Sequence, residues 1–158
     1  MNKPKWLRQA AVGASAAIIM TALTSYMEGI RLTPYRDVGG TPTVCEGLTE
    51  VPMHNYSREE CSVLDSLRRK RELSLIHNSV TVPLTQAQQA AFADFAYNVG
   101  DSAWLNSTAR RLVNNGDIKG GCAQLLRWVW AGSRKQAGLI YRRKAEYQLC
   151  IGDFHGTD

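Results

Sequence analysis

The chain has 158 residues, with 19 Lys and Arg against 14 Asp and Glu, a formal net charge of +5 and four cysteines. Once a membrane-length stretch near its start is set aside, about 130 residues remain, enough for one domain with one modest core and too few for two. The basic balance suits an anionic partner: nucleic acid, anionic lipid or the acidic bacterial wall. No nucleic-acid recognition motif is present, and the clusters Arg68 to Arg71 and Arg142 to Lys144 sit in helical patterns where a solvated face accounts for them.

No charged residue lies between Arg8 and Glu28, so Gln9 to Met27 form an uncharged stretch of 19 residues. As a helix it would span roughly 28 Å, close to a ~30 Å hydrocarbon core. Ala10, Gly13, Ser15, Thr21, Ser25 and their small neighbours dilute Val12, Ile18, Ile19, Met20 and Leu23, so membrane insertion is only weakly favourable. Lys3, Lys5 and Arg8 precede the stretch, which keeps the N-terminus cytoplasmic and sends the remainder to the periplasm. Three fates fit: a cleaved signal peptide, a permanent anchor, or an anchor that leaves the bilayer and refolds into the soluble domain. Cleavage near Ala22 to Ser25 would leave Glu28 at a frayed terminus, and a permanent anchor is poorly served by such weak apolarity. The third is favoured, with residues 1–27 as the signal-anchor segment and 28–158 as the domain.

Beyond Glu28, Pro34 and Pro42 bracket Gly39-Gly40 beside the β-prone Thr43-Val44-Cys45, which predicts a small hairpin or meander. Ser57 with Glu60 makes a capping box that starts a helix running to Pro83, with Cys61, Val63, Leu64, Leu67, Leu73, Leu75 and Ile76 as its apolar positions. Thr85 caps the next helix, which carries Ala87, Ala90, Ala91, Phe92, Phe95 and Ala96 before Gly100; small and aromatic residues on all sides predict a central, buried helix. Shorter helices are expected at Ser107 to Asn115, Asp117 to Trp130 and Arg134 to Cys150. The fold is therefore predominantly α, with one small β element near its N-terminal side. Trp104, Trp128 and Trp130 lie in helical patterns, where core packing is favoured over stacking on a ligand.

All four cysteines, Cys45, Cys61, Cys122 and Cys150, follow the uncharged stretch, which fits two disulfides in an oxidising compartment and leaves three pairings open. No spacing resembles a zinc site, and His54, His77 and His155 stand isolated, as surface or loop residues. Residues 1–27 contain no thiol, so a switch in which a membrane-segment cysteine attacks a disulfide is not available.

Candidate chemistry lies in Glu28, Asp37 and Thr43. At the C-terminal end of a helix, among apolar neighbours, Glu28 is expected to favour the protonated form that can donate to a leaving oxygen. Asp37, beside Gly39 and Gly40, is expected in a more open, polar loop and ionised. Two carboxyls in unlike surroundings are what cleavage of a glycosidic bond needs, and the Thr43 hydroxyl could hold the attacking water.

The stretch Met27 to Thr49, with Glu28-Gly29, Tyr35, Asp37, Gly40, Thr43 and Gly47 in order, resembles the active-site segment of phage-type lysozymes. Ala91 to Gly100, ending Asn98-Val99-Gly100, is similar to that family's central helix. Ser107-Thr108, Asn115-Gly116-Asp117, Arg127-Trp128, Gly132, Gly138-Leu139, Arg142-Arg143 and Glu146 continue the likeness over roughly residues 27 to 150. With the weakly apolar N-terminus, the resemblance is closest to lambdoid-phage signal-arrest-release endolysins.

The resemblance implies an α+β lysozyme-like fold: a small N-terminal lobe with the hairpin, a central helix, and a helical C-terminal lobe. It implies hydrolysis of the β-1,4 bond between N-acetylmuramic acid and N-acetylglucosamine in peptidoglycan, with Glu28 as general acid, Asp37 as second carboxylate and Thr43 placing water. It also implies disulfides Cys45–Cys61 and Cys122–Cys150 and no metal or organic cofactor. The partners expected are peptidoglycan and, before release, the host inner membrane through residues 9–27; the chain is expected to act as a monomer, with no nucleic-acid partner. Two positions depart from the family pattern. Leu48 stands where many relatives have histidine, removing an ion pair from the small lobe, and Glu46 places a third carboxylate close to Asp37 in sequence. The rival functions are an ordinary signal-peptide-secreted lysozyme, a lytic transglycosylase, and a non-catalytic wall-binding protein.

Overall fold

The computed structural model describes residues 13–152. Lys3, Lys5, Arg8, residues 9–12 of the uncharged stretch and His155 lie outside the described residues.

Helix α1, Ala16–Glu28, begins where the Ser15 side chain accepts from the Ile18 amide, and it ends at Gly29, whose φ of 65° few other residues adopt. Ala16, Ile19, Met20, Leu23 and Thr24 are buried, which is one stripe at helical spacing. Ile18, on the opposite side, is 60% exposed. The segment is therefore amphipathic by position although its composition is weakly apolar throughout. Among the described residues no helix is long and apolar enough to cross a membrane.

Strands β1, Arg31–Arg36, and β2, Pro42–Cys45, pair antiparallel, with Tyr35 opposite Thr43. Helix α2 spans Arg58–Ser79 and helix α3 Gln86–Val99; both open with the capping boxes expected at Ser57 and Thr85. In α3 the eight residues Ala90 to Tyr97 are all buried, so the helix is enclosed around its whole circumference. It packs against α1, α2 and the last helix, α7, Ala137–Ile151. Three short helices lie between them: α4, Asp101–Leu105; α5, Thr108–Asn114; and α6, Ile118–Leu125. Disulfide Cys45–Cys61 ties β2 to the start of α2, and Cys122–Cys150 ties α6 to the end of α7. The molecule is predominantly helical, with a small β element at its N-terminal side, a central helix and a helical C-terminal lobe.

The structure departs from the sequence expectations after Leu125, where the last helix also starts at Ala137 and not at Arg134, and on the inward face of α2. The segment expected as one helix from Asp117 to Trp130 stops at Leu125, and a second hairpin follows: β3, Trp130–Ala131, and β4, Arg134–Lys135. Gly132, with φ of 60°, supplies the positive φ that a two-residue hairpin turn needs. Trp130 consequently stands 56% exposed with the Lys135 ammonium 5.3 Å from its ring centre, while Trp104 is fully buried and donates from its indole nitrogen to Ser79 Oγ at 2.9 Å. On α2, Val63 and Leu67 face solvent, whereas Asp65, Arg69 and Glu72 are buried beside Cys61 and Ile76. That inward stripe keeps helical spacing but is filled with charged residues whose partners are Glu46 of the small lobe and Arg68 on the same helix, so apolarity was a poor guide to its face.

Candidate active site

Glu28 is the last residue of α1, and the chain reverses direction immediately after it. Its Oε1 accepts from Arg142 Nη1 on α7. The same guanidinium donates from Nε to Asp94 Oδ2 at 2.9 Å and from Nη2 to Asp94 Oδ1 at 3.0 Å, and Thr24 Oγ1 donates to Asp94 Oδ1 at 2.9 Å. Arg142 thus joins α1, α3 and α7 at one point. Burial works against the Asp94 carboxylate, but the Arg142 charge and its hydrogen bonds outweigh it and hold Asp94 below the usual carboxylate range. Burial likewise opposes the charge on Arg142, yet Asp94 and then Glu28 leave its pKa raised. Next to it, Glu146 is pushed well above the ordinary range, first by burial, with Arg143 pulling it back and Asp94 adding to the rise.

The other Glu28 oxygen faces backbone. Residues 45–47 form a three-residue loop closed by reciprocal Val44 and Leu48 hydrogen bonds of 3.0 and 2.9 Å, with Cys45 at φ 57° and Gly47 at φ 82°. A methyl group at Gly47 would stand 2.8 Å from Glu28 Oε2. Only a residue without Cβ lets the loop lie against that carboxylate.

Asp37 occupies the β1–β2 turn. Its Oδ1 accepts from the Gly39 amide at 2.9 Å and the Thr41 amide at 2.8 Å, and its own amide donates to Thr41 O at 3.0 Å. The carboxylate therefore shapes the turn that carries it, more tightly held than an open loop implies. Among the described residues no hydrogen bond reaches Oδ2. Thr43 is buried and donates to Thr41 O at 2.8 Å, so Asp37, Thr41 and Thr43 form one hydrogen-bonded series. Tyr35 links this group to Glu28: burial raises its pKa first, then the Glu28 charge, with Asp37 adding to the rise. One phenol opposite Thr43 in register therefore lies within the fields of both carboxylates. Through Tyr35, Glu28 and the Asp37–Thr41–Thr43 series share one electrostatic neighbourhood.

Glu46 does not join them. It is buried, its Oε2 accepting from Arg69 Nη1 at 2.6 Å. Leu48 is buried in the core. The basic clusters are likewise not simply solvated: Arg69, Arg142 and Arg143 are buried, while Lys70 and Lys144 remain exposed. Arg142 and Asp94 were not assigned a role from sequence. The signal was present: a charged residue inside the buried run Ala91 to Tyr97 requires a buried partner.

A predominantly helical fold with a small β lobe beside a central helix is a lysozyme-like architecture. The family model "Phage lysozyme" matches residues 25–146. The SAR-endolysin of bacteriophage PS119 is 38% identical over 128 residues, covering 79% of this chain and 77% of that protein. That of Escherichia phage Mu is 38% identical over 135 residues, covering 84% and 78%. Among solved structures, the muramidase domain of SpmX from Asticaccaulis excentricus superposes with a TM-score of 0.75 at 25% identity, covering 84% of this chain and 94% of that one. The chain belongs to the phage lysozyme family. It is accordingly a muramidase of the endolysin kind, a glycoside hydrolase whose function is cell lysis.

Two outcomes test the architecture of the site. Gly47→Ala is expected to cost about 1–2 kcal/mol in backbone strain and to lower activity by at least about tenfold by displacing Glu28, measured by urea unfolding and by murein hydrolysis. Arg142→Met leaves Asp94 buried without its cation and is expected to cost about 3–5 kcal/mol in unfolding free energy.

Proposed function

We propose that the chain hydrolyses the β-1,4 bond between N-acetylmuramic acid and N-acetylglucosamine in peptidoglycan, acting as a monomer. Glu28 serves as general acid, Asp37 as second carboxylate and Thr43 as the group that places water. The observation that carries this reading is the setting of the Glu28 carboxylate: Arg142 occupies Oε1, and Oε2 lies against the Gly47 backbone, with no side chain between them. Oε2 is thus the Glu28 oxygen that Arg142 leaves unengaged. Asp37, fixed through Oδ1, presents Oδ2 to the cation-like sugar of the transition state, and the Thr43 hydroxyl, bonded to Thr41 O, keeps an acceptor lone pair for water.

We further propose that residues 1–27 export the chain as an inactive form tethered to the host inner membrane and facing the periplasm, and that release makes it soluble there. The helix that ends on Glu28 supports this, because its buried stripe is drawn from the uncharged stretch. While Ile19, Met20 and Leu23 are in lipid they cannot pack in the domain, and Glu28 is held away from Asp37 and Thr43.

Glu28→Gln is expected to abolish hydrolysis of purified murein while leaving the unfolding transition in place; retained hydrolysis would sink the acid assignment. For the wild type, product masses one water heavier than anhydro-muropeptides are expected, and anhydro products would instead mark a transglycosylase. Collapsing the membrane potential of expressing cells is expected to move full-length chain from the membrane to the soluble fraction as lysis begins. A shorter soluble species at all times would instead indicate ordinary signal cleavage.

A further inference from the structure

The inward face of α2 holds a buried carboxyl that the chemistry above does not use. Asp65 is 1% exposed; its Oδ1 accepts from the Glu46 amide at 3.2 Å, and its Oδ2 is buried without a partner. Glu46 is gripped at two further points, its carbonyl accepting from Tyr97 OH at 2.7 Å and its carboxylate from Arg69 at 2.6 Å. Amide, carbonyl and side chain of this one residue are therefore all fixed by α2 and α3. The next residue is Gly47, whose backbone lies against Glu28 Oε2. One peptide unit separates the buried grip from the candidate acid.

The local charges do not balance. Arg69 faces this cluster with its Nη1 taken by Glu46, and Arg68, over the Tyr97 ring at 5.2 Å, has its Nε taken by Glu72. Asp65 is also faced by Glu28 from α1 and by the Tyr97 phenol from α3. Burial pushes the Asp65 carboxyl up to about 7; the Glu46 amide bond and Arg69 oppose the rise, and the Glu46 and Glu28 charges add to it. Its neutral form fits the site, whereas its ionised form leaves a charged oxygen buried with no donor.

We propose that Asp65 is a positioning residue for Glu28: neutral, it lets the 45–48 loop close on the Glu28 carboxylate, and ionised, it loosens that loop and lowers activity. The proposal rests on Glu28 being the acid. The direction follows from proton linkage. A carboxyl that holds its proton more tightly folded than unfolded contributes stability that is full at acid pH and is lost as pH rises from about 4 to about 7.

The test is the pH profile of murein hydrolysis by the full oxidised chain, taken as the ratio of variant to wild type so that titration of the substrate cancels. One ionisation near 7 makes the wild-type rate fall by about tenfold between about pH 6 and about pH 8. Asp65→Asn keeps an Oδ1 acceptor for the Glu46 amide and removes the charge; its rate is expected to fall less than about twofold over that range, so the ratio rises with pH. A flat ratio overturns the proposal, as does an Asn variant equally impaired at every pH. If that variant fails to fold, carboxyl carbon-13 titration of the wild type decides, and a midpoint in the ordinary carboxylate range overturns it. Should Glu28→Gln stay active, the acid assignment itself fails; if Glu28→Gln is dead and the Asn ratio flat, only the role of Asp65 falls.

Discussion

The structure depends on one buried guanidinium. Arg142 satisfies Asp94 through two hydrogen bonds and Glu28 through a third, and Thr24 completes the set from α1. Burying a charge is costly unless it is paired, so the helices contributing these groups can close together only in an arrangement where every partner is met. The Thr24–Asp94–Arg142 contacts set the register of α1 against α3, and because Glu28 lies one turn beyond Thr24, they also fix where its carboxylate stands.

The small lobe is registered differently, through backbone. The Asp37 carboxylate organises its own turn, the Val44 and Leu48 pair closes a three-residue loop, and Cys45–Cys61 fastens that loop to α2. Glu28 sits where the two systems meet, with one oxygen held by the helical core and the other against the lobe. Such a junction has few soft degrees of freedom, which suits the role proposed for Glu28.

Much of the fold was legible in the sequence because its signals are local. Ser57 and Glu60, like Thr85 and Gln88, state where helices begin, and the run Ala90 to Tyr97 states that one helix is enclosed. Glu28, Asp37 and Thr43 stood out through motif order, and each lies in the local setting its neighbours suggest: Glu28 at a helix end, Asp37 in a turn and Thr43 on a strand. What stayed hidden is non-local: Val63 and Leu67 look like core but face solvent, since the inward stripe of α2 is stabilised by partners far away in sequence. The β3–β4 hairpin was missed because two-residue strands leave no periodicity to read. The Asp94–Arg142 pair spans 48 residues, and no window of sequence contains both.

The close approach of Gly47 to Glu28 bears on how such a chain can diverge. Because the carboxylate meets main chain there, the side chains on either side of the glycine point elsewhere: Glu46 toward Arg69 and Leu48 into the core. Substitution at 48 is then a matter of repacking the lobe's interior, and the Glu28 carboxylate registers it only if the backbone shifts. Position 46 differs, because its amide, carbonyl and carboxylate are the points by which α2 and α3 hold the loop. A lineage could trade a histidine for Leu48 and keep the Glu28 setting unaltered, the glycine insulating the carboxylate from drift on that side of the interior.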